Sequence, residues 1–320
     1  MSSILLWIHE RGKASEGSLL MHGRMDASLP VTIEPIGDIK PRYSDAWHSF
    51  TSDRLALVGL AIVLIVVLTA IFAPWVAPYD PNYQWEGLRR ALPGVDGHLL
   101  GTDEVGRDIL SRLIYGSRLS LFVSVTPTVI AALIALALGL VAGYAGGKLD
   151  QIIMRILDVF FAFPVVLLAI LIAGVLGPGP RNQIIAIVFI LVPYMARVVR
   201  TQVASLRNQD FVEAARATGA GPREVIGYEL LPNVVGALIV YATILIGFMI
   251  LVAAGLSFFG LGASPPTADW GNMVNTGKGT ITTTPHVVLM PSILIVVVAL
   301  AFNFVGDGLR SVLDPHVRSM

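Results

Sequence analysis

Side chains able to do chemistry are sparse in this sequence, and their spacing argues against most reactions. The six histidines stand at 9, 22, 48, 98, 286 and 316. No two have the spacing of metal ligands, so they read as surface or interface residues. There is no cysteine, hence no disulfide and no thiolate to bind metal or attack a carbonyl. The nearest approach to a phosphate-binding loop, Gly271 to Gly279, has one residue too many before Gly277-Lys278. It also puts Gly279 where Ser or Thr must hold magnesium. The chain is therefore expected to use no cofactor and not to bind ATP itself; if ATP powers its work, the engine is a partner. Ser124, Thr126 and Thr243 lie in apolar runs without a His or Cys beside them. Bonding to carbonyls of their own helix is their default, which speaks against a membrane-embedded enzyme. One acid, Asp158, falls inside an apolar run, where an ionisable group is a functional candidate by default. It is about a turn from the end of that run, with Arg155 three residues back, so a helix-surface ion pair is expected. An ion-coupled carrier would need such groups near mid-bilayer, and the sequence supplies none.

The elements that must position these residues are hydrophobic. Of 320 residues, 55% are apolar and 14% charged, and mean hydropathy is +0.74. A soluble domain carries about 25% charge. The apolar runs are long enough to cross a bilayer as helices, about 20 residues each. The reading is an all-α integral membrane protein with spans at about 55–73, 119–145, 156–176, 184–199, 234–259 and 286–305. They follow a polar tail, 1–54, in which Trp47 is a candidate interfacial anchor. Formal net charge is zero, so no nucleic-acid partner is implied. Pro127 is a candidate kink, and Gly139 with Gly143, and Gly143 with Gly147, have the four-residue spacing that favours close helix packing. Polar or soft residues within spans that could line a pore are Thr126, Thr128, Tyr194, Tyr241, Thr243, Met249 and Asn303.

Two polar segments break the hydrophobic pattern. The first, Glu213 to Asn233, reads as helix, glycine break, helix. Gly219 can take the left-handed conformation that ends a helix, Pro222 suits the first position of the next, and Pro232 is expected to close it. Ala214 and Ala215 leave a thin surface that another protein can approach closely. The second, Leu100 to Leu121, contains Gly101-Thr102-Asp103, Gly106-Arg107-Asp108 and Ser111-Arg112, with apolar residues at 109, 110, 113 and 114. That pattern fits an amphipathic helix near the membrane surface.

Glu213-Ala214-Ala215, Gly219 and Leu231-Pro232 together resemble the coupling loop of ABC-transporter permease subunits, with Glu229 where isoleucine is usual. Gly101, Asp103, Gly106, Arg107, Asp108 and Arg112 resemble a segment of the peptide-type branch, as do 260–271 and 303–315. The resemblance covers about 45–317 and points to the second permease of dipeptide, oligopeptide, nickel or glutathione importers. It implies the six-helix type I ABC importer transmembrane domain, with a coupling loop at 200–233 that docks on a cytoplasmic ATPase. The second polar segment would fix the outer rim of the pore. Implied partners are a sister permease in a heterodimer, two ATPase subunits, an extracytoplasmic binding protein and a peptide cargo. Arg197, Arg200, Arg207, Arg216 and Arg223 cluster in the fourth-to-fifth connection, against Lys278 alone in the last loop of opposite side. The positive-inside rule then puts that connection, and both termini, in the cytoplasm of a multi-pass protein of the cytoplasmic (inner) membrane.

Overall fold

Lipid offers the backbone no hydrogen-bond partner, so a chain this apolar must satisfy its amides and carbonyls within helices. A computed structural model describes residues 50–313, all within one compact unit, Arg42–Met320. The expectations for the tail up to residue 49, Trp47 included, and for the last seven residues lie outside the described part. Nine helices carry the described architecture: α1 Arg54–Ile71, α2 Ile109–Ala145, α3 Gly147–Asp158, α4 Val165–Leu176, α5 Pro180–Leu206, α6 Asp210–Ala217, α7 Pro222–Phe258, α8 Trp270–Gly277 and α9 His286–Leu313. Among the described residues no strand forms beyond a one-residue bridge, Thr102 to Asp108. Five helices are long and apolar enough to cross a membrane, and the bent pair α3–α4 makes a sixth if counted as one.

The helix ends follow local chemistry. Asp53 caps α1 by accepting from the amides of Leu55 and Ala56. At its other end Arg118 of α2 donates to the carbonyls of Ala70 and Ile71, which would otherwise be orphaned. At 37 residues, α2 is about 55 Å long, nearly twice a hydrocarbon core. The amphipathic segment at 109–115 and the second span are thus one uninterrupted helix through Pro127.

The expected third span, 156–176, is broken. Phe163 is extended (ψ 143°) before Pro164, and α4 leaves α3 at 90°; a proline excludes its predecessor from the helical region. Asp158 does not pair with Arg155 but with Arg197 of α5. That partner stands on α5, which continues to Leu206, beyond the expected end at 199, and carries both Arg197 and Arg200. Arg200 pairs with Asp150.

Helices α2 and α5 share the most extensive contact, and the small residues explain it. A Cβ on Gly139 would lie 2.5 Å from the Val199 side chain, and one on Gly143 2.6 Å from Val203. Gly147 meets nothing within 4 Å, so the second glycine pair is not a packing motif. One apolar core joins α2, α4, α5 and α7; another joins α1, α8 and α9 to the first part of α2 and to α7.

Candidate functional site

Two polar constructions stand at opposite ends of α2. The first is a plate of loop, residues 77–108, folded over the start of that helix. Asp108 caps α2, its Oδ2 accepting from the Ser111 amide at 2.7 Å and the Ser111 hydroxyl at 2.8 Å. Its Oδ1 lies 2.9 Å from His98 Nδ1. Asp103 gathers its own turn: Oδ1 accepts from the amides of Val105 and Arg107, and Oδ2 lies 2.7 Å from Arg107 Nε. Arg112 adds a looser ion pair, Nε to Asp103 Oδ2 at 3.5 Å, and donates to the carbonyl of Pro81 at 2.9 Å. Thr102 is buried and bridges two loop strands, accepting from the Ala91 amide while donating to the Leu88 carbonyl. Gly106 (φ +90°) sits where a Cβ would meet the Trp85 carbonyl at 2.6 Å; Gly101 (φ +78°) is similarly confined by Ala91. All six residues expected to form this motif are thus brought together.

Four contributors went unforeseen. His98 and His286, read as surface or interface residues, are 1% and 6% exposed. His98 lies against Tyr79 and Trp85, and His286 Nε2 lies 3.1 Å from the Ala91 carbonyl. The signal for His98 was its place ten residues before a helix-capping aspartate, but only the fold shows that the loop returns. Trp270 packs on Gly116 and donates from Nε1 to the Leu113 carbonyl at 2.9 Å. Asp269, 3% exposed, caps α8 through the Gly271 amide at 3.1 Å and faces Ser120 of α2. Burial pushes its carboxyl above the usual range, against hydrogen bonds from Ser257, Gly271 and Ser120 that pull it down.

The second construction is the elbow α6–Gly219–α7. Gly219 is left-handed (φ +94°), and the helix end is closed by Gly219 N–H to the Arg216 carbonyl and Ala220 N–H to the Ala215 carbonyl, each 3.0 Å. This double bond pattern satisfies two carbonyls and turns the chain sharply. Glu224 accepts from the Gly221 amide at 2.8 Å and starts the next helix behind Pro222. Pro232 does not close that helix: α7 runs from Pro222 to Phe258. The turns Val225–Leu230 are π-helical, with the Leu231 amide bonded to the Ile226 carbonyl. The wider turn makes room for the proline ring, whose clash with a preceding carbonyl would break an ordinary helix. Val212, Val225 and Leu230 are fully buried and root the elbow, and the Arg216 guanidinium lies over the Tyr144 ring of α2, 5.5 Å from its centre. Glu213 and Ala214 are exposed. Ala214 and Ala215, with Phe211, Thr218, Tyr228 and Glu229, line an open cleft of about 490 Å³. Glu229 thus belongs to the rim of this cleft, and Leu231 packs against the core behind it.

Of the candidate pore residues, Thr128, Thr243 and Asn303 bond within their own helices, to the carbonyls of Ser124, Ile239 and Ala299; Ser124 likewise bonds to the Ser120 carbonyl. Met249 is buried in the first apolar core, where Tyr241 is half-buried. Thr128, Thr243 and Asn303 already have partners, so their polarity by itself does not mark a path.

Comparison with known proteins matches this arrangement. Residues 135–319 fit the family model of the binding-protein-dependent transport system inner membrane component, and residues 42–93 fit the N-terminal TM domain of oligopeptide transport permease C. The chain is 42% identical over 278 residues to the di/tripeptide transport system permease protein DppC of Pseudomonas aeruginosa (strain UCBPP-PA14), covering 85% of this chain and 92% of that one. It is 41% identical over 282 residues to the glutathione transport system permease protein GsiD of Escherichia coli O157:H7, covering 88% and 92%. In fold it is similar to a chain from inward facing conformations of the MetNI methionine ABC transporter, with a TM-score of 0.52 at 22% identity over 63% of this chain and 96% of that one. The long α2, the broken α3–α4 and the rooted elbow are therefore the membrane part of an ABC importer, and the chain belongs to the family of binding-protein-dependent transport system inner membrane components.

Proposed function

We propose that this permease forms half of a pore that imports di- and oligopeptides, with a sister permease as the other half. Two ATPase subunits drive it from the cytoplasm, and an extracytoplasmic binding protein delivers the cargo. Both termini and the elbow are cytoplasmic, and the plate at 77–108 faces outward. The observation that carries this reading is the elbow itself: a short exposed helix with small residues over a cleft, rooted in the apolar core by Val212 and laid against α2 by Arg216 on Tyr144. A surface with this form receives force and passes it to the helices it is rooted in. ATP binding draws the ATPases together, the elbows follow, and the bundles rock between inward-open and outward-open states. Such a switch needs ligands that bind the two states unequally; ATP supplies that bias on one side and the loaded binding protein on the other. Peptide is favoured as cargo because relatives at 42% and 41% identity are named for di/tripeptide and glutathione transport, the latter also a peptide.

Uptake of a labelled dipeptide by cells carrying the full transporter tests the cargo, with unlabelled glutathione and nickel as competitors. Uptake blocked by nickel and not by peptides overturns the peptide assignment. Gly219→Val tests the coupling. The open space around Gly219 accepts the side chain, but φ +94° does not suit it. ATP hydrolysis is expected to continue while uptake falls at least about tenfold, and unchanged uptake counts against the docking role. Because the chain has no cysteine, Glu213→Cys is a unique target for a membrane-impermeant maleimide. Labelling in intact cells would place the elbow outside and end the proposal.

A further inference from the structure

Helix α3 carries an apolar strip that nothing in the described chain covers. Leu149, Ile152 and Ile156 recur at three- and four-residue spacing and so share one face; they are 46%, 58% and 61% exposed, and Val159, in the 3-10 turn that follows, is 63% exposed. The opposite face is anchored: Leu157 and Asp150 are buried. Both acids of the helix are neutralised by α5, Asp150 by Arg200 and Asp158 by Arg197. Its two bases are not. Lys148 and Arg155 are seven residues apart, two turns on one line at the border of the apolar strip. Both are exposed, and neither has a carboxylate partner among the described residues. The strip continues past the 90° bend into exposed Leu167 and Leu171 of α4, a segment composed to enter the bilayer.

We propose that α3 lies in the headgroup layer of the membrane, its strip sunk among acyl chains, and that Lys148 and Arg155 bind anionic phospholipid there. The right angle to α4 sets α3 along the membrane plane. An apolar strip edged by bases is the composition of an interfacial helix, and anionic headgroups attract bases at that depth. A protein surface covering the strip would have to bring its own acids to meet the two bases; an anionic leaflet has them already. Neutralising the helix acids internally leaves the lipid-facing border purely positive. This inference rests on the membrane family alone and not on the cargo or the orientation of the elbow.

The test uses the absence of cysteine. Ile156→Cys, labelled with bimane, is reconstituted with its partner subunits in vesicles containing spin-labelled phosphatidylglycerol or spin-labelled phosphatidylcholine, the spin label at a shallow acyl position. Signal from the unsubstituted complex is subtracted. Quenching by phosphatidylglycerol is expected to exceed that by phosphatidylcholine by about twofold to fivefold. The preference should vanish in Lys148→Gln/Arg155→Gln and return in Lys148→Arg/Arg155→Lys. Ile152→Cys, on the same strip, repeats the measurement at a second position should the first fail to assemble. Equal quenching by the two lipids overturns the proposal. So does quenching by neither, the result expected if a sister subunit covers the strip. Because the probe lipids occupy both leaflets, neither result bears on the orientation of the elbow, and the import proposal survives either.

Discussion

At one end of α2, Asp103, Arg107, Asp108 and Arg112 are 4%, 6%, 0% and 3% exposed, and each has its charged or hydrogen-bonding partner within the plate. At the other end Glu213, Ala214 and Arg216 are exposed, and the Glu213 carboxylate has no ion-pair partner among the described residues. The two segments use the same residue types at similar density. What separates them is where satisfaction comes from. The plate closes on itself and so contributes rigidity; the elbow leaves its surface unfinished and so is built for something that arrives. The proposed outer rim and the proposed coupling elbow should therefore respond to mutation in opposite ways.

The largest effect should come from the plate. Asp103→Ala leaves Arg112 buried without its carboxylate and Arg107 with only the looser pair to Glu104 at 3.5 Å, and breaking one partner out of a buried ionic network costs about 3–5 kcal/mol. A fall of that size in unfolding free energy, measured by denaturation of the purified complex, is expected along with poor membrane yield. A change below about 1 kcal/mol would mean that the network is not closed as described. Next comes the link between the two ends. Gly139→Leu drives a side chain into Val199, and overpacking of this kind costs about 1–3 kcal/mol. Gly147→Leu, with open space around it but φ +56°, tests strain without a clash and should cost less. An equal loss from the two variants would remove the argument that α2 and α5 are held at close range by small residues.

Legibility in the sequence divides along similar lines. Hydropathy and length are local sums, so the helical class could be read directly. The plate residues Gly101 to Arg112 and the elbow residues Glu213 to Gly219 are contiguous, and so was their grouping. Pairings across the bundle were not legible: Asp158 finds Arg197 of α5, thirty-nine residues on, and not Arg155, because only the packing of α3 beside α5 brings the two together. Pro232 misled for a related reason. A proline forbids one kind of turn, and the chain used another, wider one instead of ending the helix.

Asp269 gives a smaller, pH-dependent effect at the plate end. Burial raises its carboxyl above the ordinary value, so the folded state holds a proton that the unfolded chain has already lost. Stability from this group is present below the unfolded carboxylate range and declines as pH rises through the raised folded value. Asp269→Asn keeps an acceptor for the Gly271 amide but cannot ionise. Denaturation midpoints of the variant should be flatter than those of the parent as pH rises above the ordinary carboxylate range. Parallel curves would show that the carboxyl titrates alike in both states.

The smallest effect on stability is expected at Ala214, and it sharpens the contrast most. Ala214 is exposed beside the open cleft, so Ala214→Trp meets no core, and surface substitutions of that kind usually change stability by less than about 0.5 kcal/mol. If the elbow serves only to connect two helices, transport should be equally indifferent. If it is a docking surface, an indole on its thinnest side holds the ATPase away. Dipeptide uptake should then fall at least about tenfold in a permease that melts like the parent. A matched pair settles the matter: Ala214→Trp, stable and inactive, beside Asp103→Ala, inactive because unstable. Should Ala214→Trp transport at the parent rate, the unfinished surface of the elbow would not be where force enters, and the asymmetry between the two ends of α2 would have to be explained by something other than a partner.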